Sequence, residues 1–140
     1  MINRKVSTMP LAGYNQFRNG ELIMGIFDRL FGSALVEIKP VELNEKLKSA
    51  VRPFVLDVRQ PEEFRAGHIA GAKLISLNEL KSKMSELPKN REIICVCASG
   101  SRSSTAYRML APAGFKVINM HGGMSAWQRQ NLPIKKGTAS

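Results

Sequence analysis

The sequence predicts an α/β domain built around a parallel sheet. Short apolar segments of strand length alternate along the chain with segments that carry helix-start and helix-stop signals. Phe54–Val58 and Glu92–Val96 are nearly continuous apolar runs, as expected of strands that are covered on both faces. Strands separated by helices form βαβ units, whose strands pair in parallel. At 140 residues, the chain has room for one such domain and a short appendage.

The first half of this pattern is supported by residues that favour helix starts. Pro40 and Pro61 suit the first turn of a helix, where the missing N–H leaves no bond unmade, and Asn78 is expected to cap a third helix. The predicted elements are the strand Ala34–Lys39, the helix Val41–Ser49, the strand Phe54–Val58, a helix beginning at Gln60–Phe64, the loop Gly67–Gly71, the strand Lys73–Ile75 and a helix from Asn78 to about Leu87.

The second half repeats the alternation around a loop of small residues. Gly114 is expected to end the helix before it, since glycine readily adopts the left-handed conformation of a helix C-terminus. The predicted elements are the strand Glu92–Val96, the loop Cys97–Arg102, the helix Ser103–Ala113, the strand Lys116–Asn119 and a helix that follows Gly122-Gly123 and runs through Trp127 to Gln130.

Residues 1–33 differ from the rest of the chain. They contain four glycines and polar spacers without a sustained period, and only residues 24–31 place apolar side chains at helical spacing. This segment also has the character of a protein start, which makes Met24 an alternative initiator. We interpret residues 1–33 as a partly flexible N-terminal extension and residues 34–140 as the folded domain.

Composition and charge narrow the classes of function. The chain has no apolar run near the roughly 18 residues that a membrane span needs, and no secretory signal follows its basic N-terminus, so we expect a cytoplasmic protein. The net charge is +10, but the basic residues are scattered, which argues against a specific nucleic-acid partner. Attraction for small anions or for an acidic partner protein remains open.

The two cysteines, Cys95 and Cys97, stand two positions apart. A disulfide between such near neighbours on a strand has poor geometry. Only His68 and His121 could join them as soft metal ligands, so we expect no metal site, and no motif calls for a cofactor. We interpret one cysteine as reactive and the other as a packing residue.

Cys97 occupies the position where parallel α/β proteins place reactive groups. It follows a buried strand and opens the loop Cys97–Arg102, which leads into a helix. The small side chains of this loop leave its backbone N–H groups uncovered, and Gly100 permits a conformation that other residues resist. The loop can therefore form a nest of N–H groups next to a helix N-terminus.

A thiol in such a nest is expected to have a lowered pKa, because the thiolate accepts the N–H bonds. Arg102 would supply a guanidinium for an anionic donor or acceptor, and Ser103 is expected to cap the following helix and to face the site. The alternative for Cys97 is a buried packing residue. For Cys95 packing is the favoured interpretation, with a resolving thiol as the alternative, since residues two apart on a strand share a face.

Four motifs occur in order over roughly residues 38–133. They are Leu56-Asp-Val-Arg59 with Glu62-Glu-Phe64 and Gly67-His-Ile-Ala-Gly-Ala72, then Cys97-Ala-Ser-Gly-Ser-Arg-Ser103, then Gly114-Phe115, and finally Gly122-Gly-Met-Ser-Ala-Trp127 with Leu132-Pro133. No single motif is specific, but in this order and spacing they resemble the rhodanese domain.

The resemblance implies a five-stranded parallel sheet with helices on both faces and a sulfurtransferase with Cys97 as nucleophile. The sulfur would be carried as a persulfide, from a small anionic donor such as thiosulfate to cyanide, a thiol or a protein acceptor. The residues implied to cradle the persulfide are Ala98, Ser99, Gly100, Ser101, Arg102 and Ser103. By the same resemblance Asp57, Arg59 and His68 are structural supports, with a catalytic base as the alternative role for His68.

Two other functions compete with this interpretation. Cysteine phosphatases and arsenate reductases use a Cys-to-Arg loop on a similar fold, with five residues between cysteine and arginine. Four residues separate Cys97 from Arg102, and the shorter ring favours a sulfane sulfur over a tetrahedral oxyanion. A non-catalytic module of the same fold is the second alternative, and the presence of both Cys97 and Arg102 argues against it.

Overall fold

The computed structural model of the protein describes residues 34–138, and the expectations for residues 1–33 lie outside this range. Its centre is a five-stranded sheet in which every neighbouring pair of strands is parallel. The strands are β1 (Glu37–Ile38), β2 (Phe54–Asp57), β3 (Lys73–Leu74), β4 (Glu92–Val96) and β5 (Lys116–Met120). Their spatial order is β1-β5-β4-β2-β3, so β4 is the central strand.

Within residues 34–138, five helices connect or follow these strands. Among residues 34–138, none of the helices has the length and apolar character needed to cross a membrane. The helices are α1 (Pro40–Lys46), α2 (Pro61–Ala66), α3 (Leu77–Lys83), α4 (Ser101–Leu110) and α5 (Gly123–Arg129), and 3₁₀ turns at Met84–Glu86 and Ala111–Ala113 extend α3 and α4.

The sheet is covered on both faces, as the apolar strands predict. One core contains Leu80 of α3 together with Ala106 and Leu110 of α4. The opposite core contains side chains of α1, α2 and α5, among them Phe64 and Trp127. Successive side chains of β4 alternate between the two cores, because side chains of a strand point to opposite faces in turn.

Several element boundaries differ from the prediction. Asn78 is not the cap of α3; Ser76 holds that position, and Asn78 lies inside the first turn. Ser103 is likewise not the cap of α4, because the helix begins two residues earlier. Gly100, with φ +109°, is the cap residue, and the left-handed backbone there lets the chain turn into the helix at once.

The connections place a crevice beside the end of β4. The chain leaves β4 toward α4 on one face, whereas it leaves the adjacent strand β2 toward α2 on the other. Where connections diverge in this way, the carboxyl ends of the two strands border an open crevice, the usual ligand site of a parallel sheet. Cys97 and the segment after Asp57 lie at these two strand ends.

Candidate functional site

Cys97 is the first residue after β4, and it is almost fully buried at 1% exposure. Its Sγ accepts a hydrogen bond from the backbone N–H of Gly100 at 3.0 Å. The left-handed conformation of Gly100 folds the loop back, so that this N–H is directed at the sulfur instead of at solvent.

The surroundings of Cys97 favour the thiolate. Burial, the largest single effect, raises the pKa of Cys97, but hydrogen bonds from the hydroxyl and backbone N–H of Ser103 and from the backbone N–H groups of Gly100 and Ser99 together lower it below its ordinary value. The Ser103 hydroxyl also lies 3.2 Å from the carbonyl oxygen of Gly100. Since a hydroxyl has one hydrogen and a charged acceptor is the stronger one, ionisation of Cys97 favours its donation to the sulfur.

The N-terminus of α5 binds the loop Cys97–Arg102 through the carbonyl oxygens of the loop. The N–H of Met124 donates to the carbonyl oxygen of Cys97 at 2.8 Å, and the N–H of Ser125 donates to that of Ala98 at 2.9 Å. A Cβ on Gly123 would lie 2.6 Å from both carbonyl oxygens, so only glycine permits this approach. With the carbonyl oxygens bound on this side, the loop is fixed with its N–H groups toward the sulfur.

This anchoring role was missed from the sequence. Gly122-Gly123 entered only as the residues before the last helix and as part of a family signature, although two glycines before a helix are a usable signal of close backbone approach. Both residues have positive φ, at +76° and +62°.

Cys95 shares the face of Cys97 but not its polar surroundings. It is fully buried, and burial, followed by the charge on Cys97, raises the pKa of Cys95 to about 12. A thiol of this acidity is protonated at neutral pH, so it has little capacity to attack a persulfide. The contacts of Cys95 are those of a packing residue.

Arg102 lies in the first turn of α4 and binds a carboxylate that the sequence analysis did not assign. Its Nη1 and Nη2 donate to Oε1 and Oε2 of Glu63, each at 2.8 Å, and each side chain is about one-third exposed. The hydrogen bond from Arg102 lowers the pKa of Glu63 to about 2, against a smaller opposing effect of burial. The hydrogen bond to Glu63 raises the pKa of Arg102, and the charge on Cys97 adds to this effect to a lesser degree.

Asp57 and Arg59 form a buried ion pair at the end of β2, with 1% and 6% of their side chains exposed. Arg59 Nε and Nη2 donate to the carboxylate at 2.9 and 2.8 Å, and Nη2 also donates to the carbonyl oxygen of Gly67. Ser76 donates to the carbonyl oxygen of Arg59 at 2.8 Å. The pair therefore ties the end of β2 to the loops before and after β3.

His68 is fully buried, and both its backbone and its imidazole ring make polar contacts. Nδ1 lies 2.7 Å from the carbonyl oxygen of Phe64, and the imidazole stacks on the Phe64 ring with centroids 3.6 Å apart. Its backbone forms an antiparallel bridge with Lys135. These contacts favour a structural role for His68 over the alternative of a catalytic base.

The six residues predicted to cradle the sulfur thus fall into three groups. Ser99, Gly100 and Ser103 direct donors at Cys97 Sγ. Ala98 and Ser101 contribute backbone acceptors instead. The carbonyl oxygen of Ala98 accepts the N–H of Ser125, and that of Ser101 accepts the hydroxyl of Thr105. Arg102 lies at the mouth of the site, paired with Glu63.

Comparisons with known proteins agree with this arrangement. The family model described as "Rhodanese-like domain" matches residues 39–130. The putative sulfurtransferase YtwF of Bacillus subtilis is 36% identical over 97 residues, which cover 69% of this chain and 94% of that protein. A sulfurtransferase of Allochromatium vinosum is 35% identical over 99 residues, which cover 70% and 92%.

Solved structures show the same fold. A rhodanese-related protein of Thermoplasma volcanium superimposes with a TM-score of 0.68 at 31% identity, over 71% of this chain and 97% of that chain. A thiosulfate sulfurtransferase of Pseudomonas aeruginosa superimposes with a TM-score of 0.67 at 25% identity, over 75% of this chain and 20% of that longer chain. On the family match, the relatives and the shared sheet, this chain belongs to the rhodanese-like domain family.

Proposed function

We propose that the protein is a sulfurtransferase that carries a sulfane sulfur on Cys97 as a persulfide. The observation that carries the proposal is the position of Cys97 Sγ, which accepts the Gly100 N–H at 3.0 Å in a loop whose donors lower the thiol pKa. The same donors suit a persulfide anion, because its outer sulfur would project into the same nest.

The reaction takes place in two steps. The Cys97 thiolate attacks the outer sulfur of a donor, a new S–S bond forms, and the bond between the two donor sulfurs breaks with its electron pair on the leaving group. With thiosulfate the products are the Cys97 persulfide anion and sulfite. An acceptor nucleophile then attacks the outer sulfur of the persulfide, and the Cys97 thiolate leaves. Cyanide as acceptor gives thiocyanate.

The residues around Cys97 have distinct roles in this proposal. Ser99, Gly100 and Ser103 stabilise the sulfur anion, and Ala98 and Ser101 shape the loop. Arg102, which is paired with Glu63, is the guanidinium that an anionic donor would meet. Asp57, Arg59 and His68 support the strand end and the neighbouring loops through their buried hydrogen bonds.

The relatives support sulfur transfer and leave a choice of partners. Two are named sulfurtransferases, and a further relative in Bacillus subtilis, 40% identical over 96 residues, is named a putative sulfur carrier protein. We propose a small sulfur donor and a thiol or protein acceptor, with thiosulfate and cyanide as workable laboratory substrates. A reactive thiol of this kind persists in a reducing compartment, which favours the cytoplasm.

Intact mass spectrometry tests the proposal directly. Incubation with thiosulfate should add about 32 Da, one sulfur atom, to the wild-type protein, and cyanide should remove it and release thiocyanate. Cys97→Ser should gain no mass. A folded wild-type protein that acquires the sulfur from neither thiosulfate nor a thiol persulfide would contradict the proposal and leave a non-catalytic binding module as the better interpretation.

A further inference from the structure

Two ion pairs lie at the ends of the strands that border Cys97 and on the helices that follow them. At the mouth of the site the Arg102 guanidinium is bonded to the Glu63 carboxylate through both of its terminal nitrogens. Deeper in the site, Arg59 is bonded to Asp57. Each of these two cations therefore has its charge balanced by a carboxylate.

Glu63 spans the crevice to reach Arg102. It lies on α2, which follows β2, whereas Arg102 lies on α4, which follows β4 and covers the other face of the sheet. Glu63 also accepts the backbone N–H of Gln60 at 2.9 Å, which fixes the carboxylate at the start of its helix. With a pKa of about 2, this carboxylate is ionised at every pH at which the thiolate can react.

This pairing affects sulfur donors according to their charge. Thiosulfate carries two negative charges and must approach a thiolate, so the encounter brings together three negative charges. A thiol persulfide carries at most one negative charge at its reacting end. A free guanidinium would favour the dianion strongly, but a guanidinium already matched by a carboxylate gives it a much weaker net attraction.

We infer that Glu63 determines donor choice at this site: by neutralising Arg102 it selects donors with one negative charge or none at the reacting end, such as thiol persulfides, over the thiosulfate dianion. Glu63 acts through Arg102 and does not itself touch the donor. The inference rests on the proposed function, because it concerns the step that loads Cys97.

Glu63→Gln removes the negative charge and keeps the shape of the side chain. The amide oxygen of glutamine can still accept the Gln60 N–H, so the helix start is preserved. The measurement is the rate of Cys97 sulfur loading, followed by intact mass, with thiosulfate and with the persulfide of 2-mercaptoethanol. The ratio of the second-order loading rate constants, thiosulfate over persulfide, should rise roughly fivefold at low salt, and the rise should shrink as salt is added.

Two further variants separate the inference from simpler explanations. Glu62→Gln removes the same charge one residue away, from an exposed side chain that has no hydrogen bond or ion pair within residues 34–138, and it should change the ratio much less. Arg102→Gln should lower the ratio, because it leaves the Glu63 carboxylate unbalanced at the mouth. A charge effect therefore changes the thiosulfate-to-persulfide ratio in opposite directions in Glu63→Gln and Arg102→Gln. Loss of a purely structural contact would change the ratio in the same direction in both variants.

The outcomes are distinguishable. An unchanged or lowered ratio in Glu63→Gln, with both donors still loading Cys97, would overturn the inference and leave the proposed function intact. Equal changes in Glu62→Gln and Glu63→Gln would also overturn it, since general surface charge would then be sufficient. If neither donor loads the wild-type Cys97, the proposed function fails and the inference fails with it. Circular dichroism of each variant verifies that the fold is kept.

Discussion

Cys95 and Cys97 lie two residues apart on the same face of β4 and its end, yet the pKa of the first is raised and that of the second is lowered. Both are buried, and burial pushes both thiols toward the protonated form. The difference comes from the backbone. Cys95 lies between Leu56 and Asn119 of the two neighbouring strands, and there the backbone N–H groups form the hydrogen bonds of the sheet. The N–H groups of the loop after Cys97 are not part of the sheet, so they can donate to the sulfur.

This comparison shows that the backbone at the end of the strand, and not burial, lowers the pKa of Cys97. Gly100 turns the chain, Ser103 enters the first turn of α4, and Gly123 admits the backbone of α5 behind the loop. Each of these features can be removed separately. Substitutions at these positions and at the two cysteines therefore test the contrast between the two thiols.

Cys97→Ser should reduce sulfur transfer by roughly a thousandfold or more, because a serine hydroxyl at this position is not ionised and cannot carry the sulfur. Cys95→Ala should keep most of the wild-type activity. Thiocyanate release from thiosulfate and cyanide measures both. A well-folded but inactive Cys95→Ala would instead require a mechanism with two thiols.

Gly123→Ala should slow Cys97 loading by roughly tenfold or more, because its Cβ would lie 2.6 Å from the carbonyl oxygens that anchor the loop, and misplacement of reacting groups is costly. Loading is again measured by intact mass. Gly137→Ala is the matched control, because Gly137 also has positive φ, +102°, but its Cβ would meet nothing within 4 Å. Similar losses in the two variants would show that backbone strain, and not contact with the loop, is responsible.

Ser103→Ala should raise the pKa of Cys97, since it removes a hydrogen bond that favours the thiolate. The rate of iodoacetamide alkylation increases with pH as the thiolate forms, and its midpoint should move upward by roughly one pH unit, toward that of an ordinary cysteine.

Ser104→Ala provides the control for this titration. Ser104 Oγ donates to the carbonyl oxygen of Gly100 at 2.6 Å, and it contributes no hydrogen bond that lowers the pKa of Cys97. Its alkylation midpoint should stay near that of the wild type. An alkylation midpoint at or above about pH 8.5 in the wild-type protein would show that the donors around Cys97 do not lower its pKa.

The smallest effect is on stability in alkaline solution. The raised pKa of Cys95, about 12, means that the folded state holds this proton more tightly than the unfolded state, whose thiol titrates near 9.0. Stability from Cys95 is therefore fully present below about pH 9 and falls as the pH rises toward 12. Between pH 8 and pH 10, the free energy of unfolding should therefore fall by roughly 1 kcal/mol less in Cys95→Ala than in the wild-type protein.

Cys97 contributes to stability with the opposite sign. Its lowered pKa gives stability that is present above the unfolded value of 9.0 and is lost as the pH falls through the folded value. Urea unfolding of Cys95→Ala and Cys97→Ser at pH 8 and pH 10 compares the two directly. Changes of the same sign in both variants would contradict the contrast between the two thiols.

Much of this fold was predictable from local patterns. The apolar runs at 54–58 and 92–96 are strands, and the prolines at 40 and 61 each begin a helix. The errors fall at helix ends, where Asn78 and Ser103 were expected to cap and do not. At both places a neighbouring residue had the backbone conformation that the turn requires, which side-chain preference alone does not reveal.

The candidate site was predictable only where its residues are close in sequence. Cys97, Gly100 and Ser103 belong to one loop and helix turn, so their contacts follow from the local pattern. Glu63 and Arg102 are 39 residues apart, and their pairing depends on β2 and β4 being neighbours in the sheet. Strand order is not encoded in any single segment, so this ion pair appears only once the fold is known.

The bonds from Met124 and Ser125 to the loop carbonyls have a consequence for the newly made protein. During synthesis Cys97 emerges well before residues 123–125, so the nascent chain holds an ordinary thiol without a formed nest. We expect the reactive thiolate to arise only after β5 has joined the sheet and α5 has docked. The proposed sulfur chemistry thus becomes available only once this part of the domain has folded, when the sulfur of Cys97 is already enclosed.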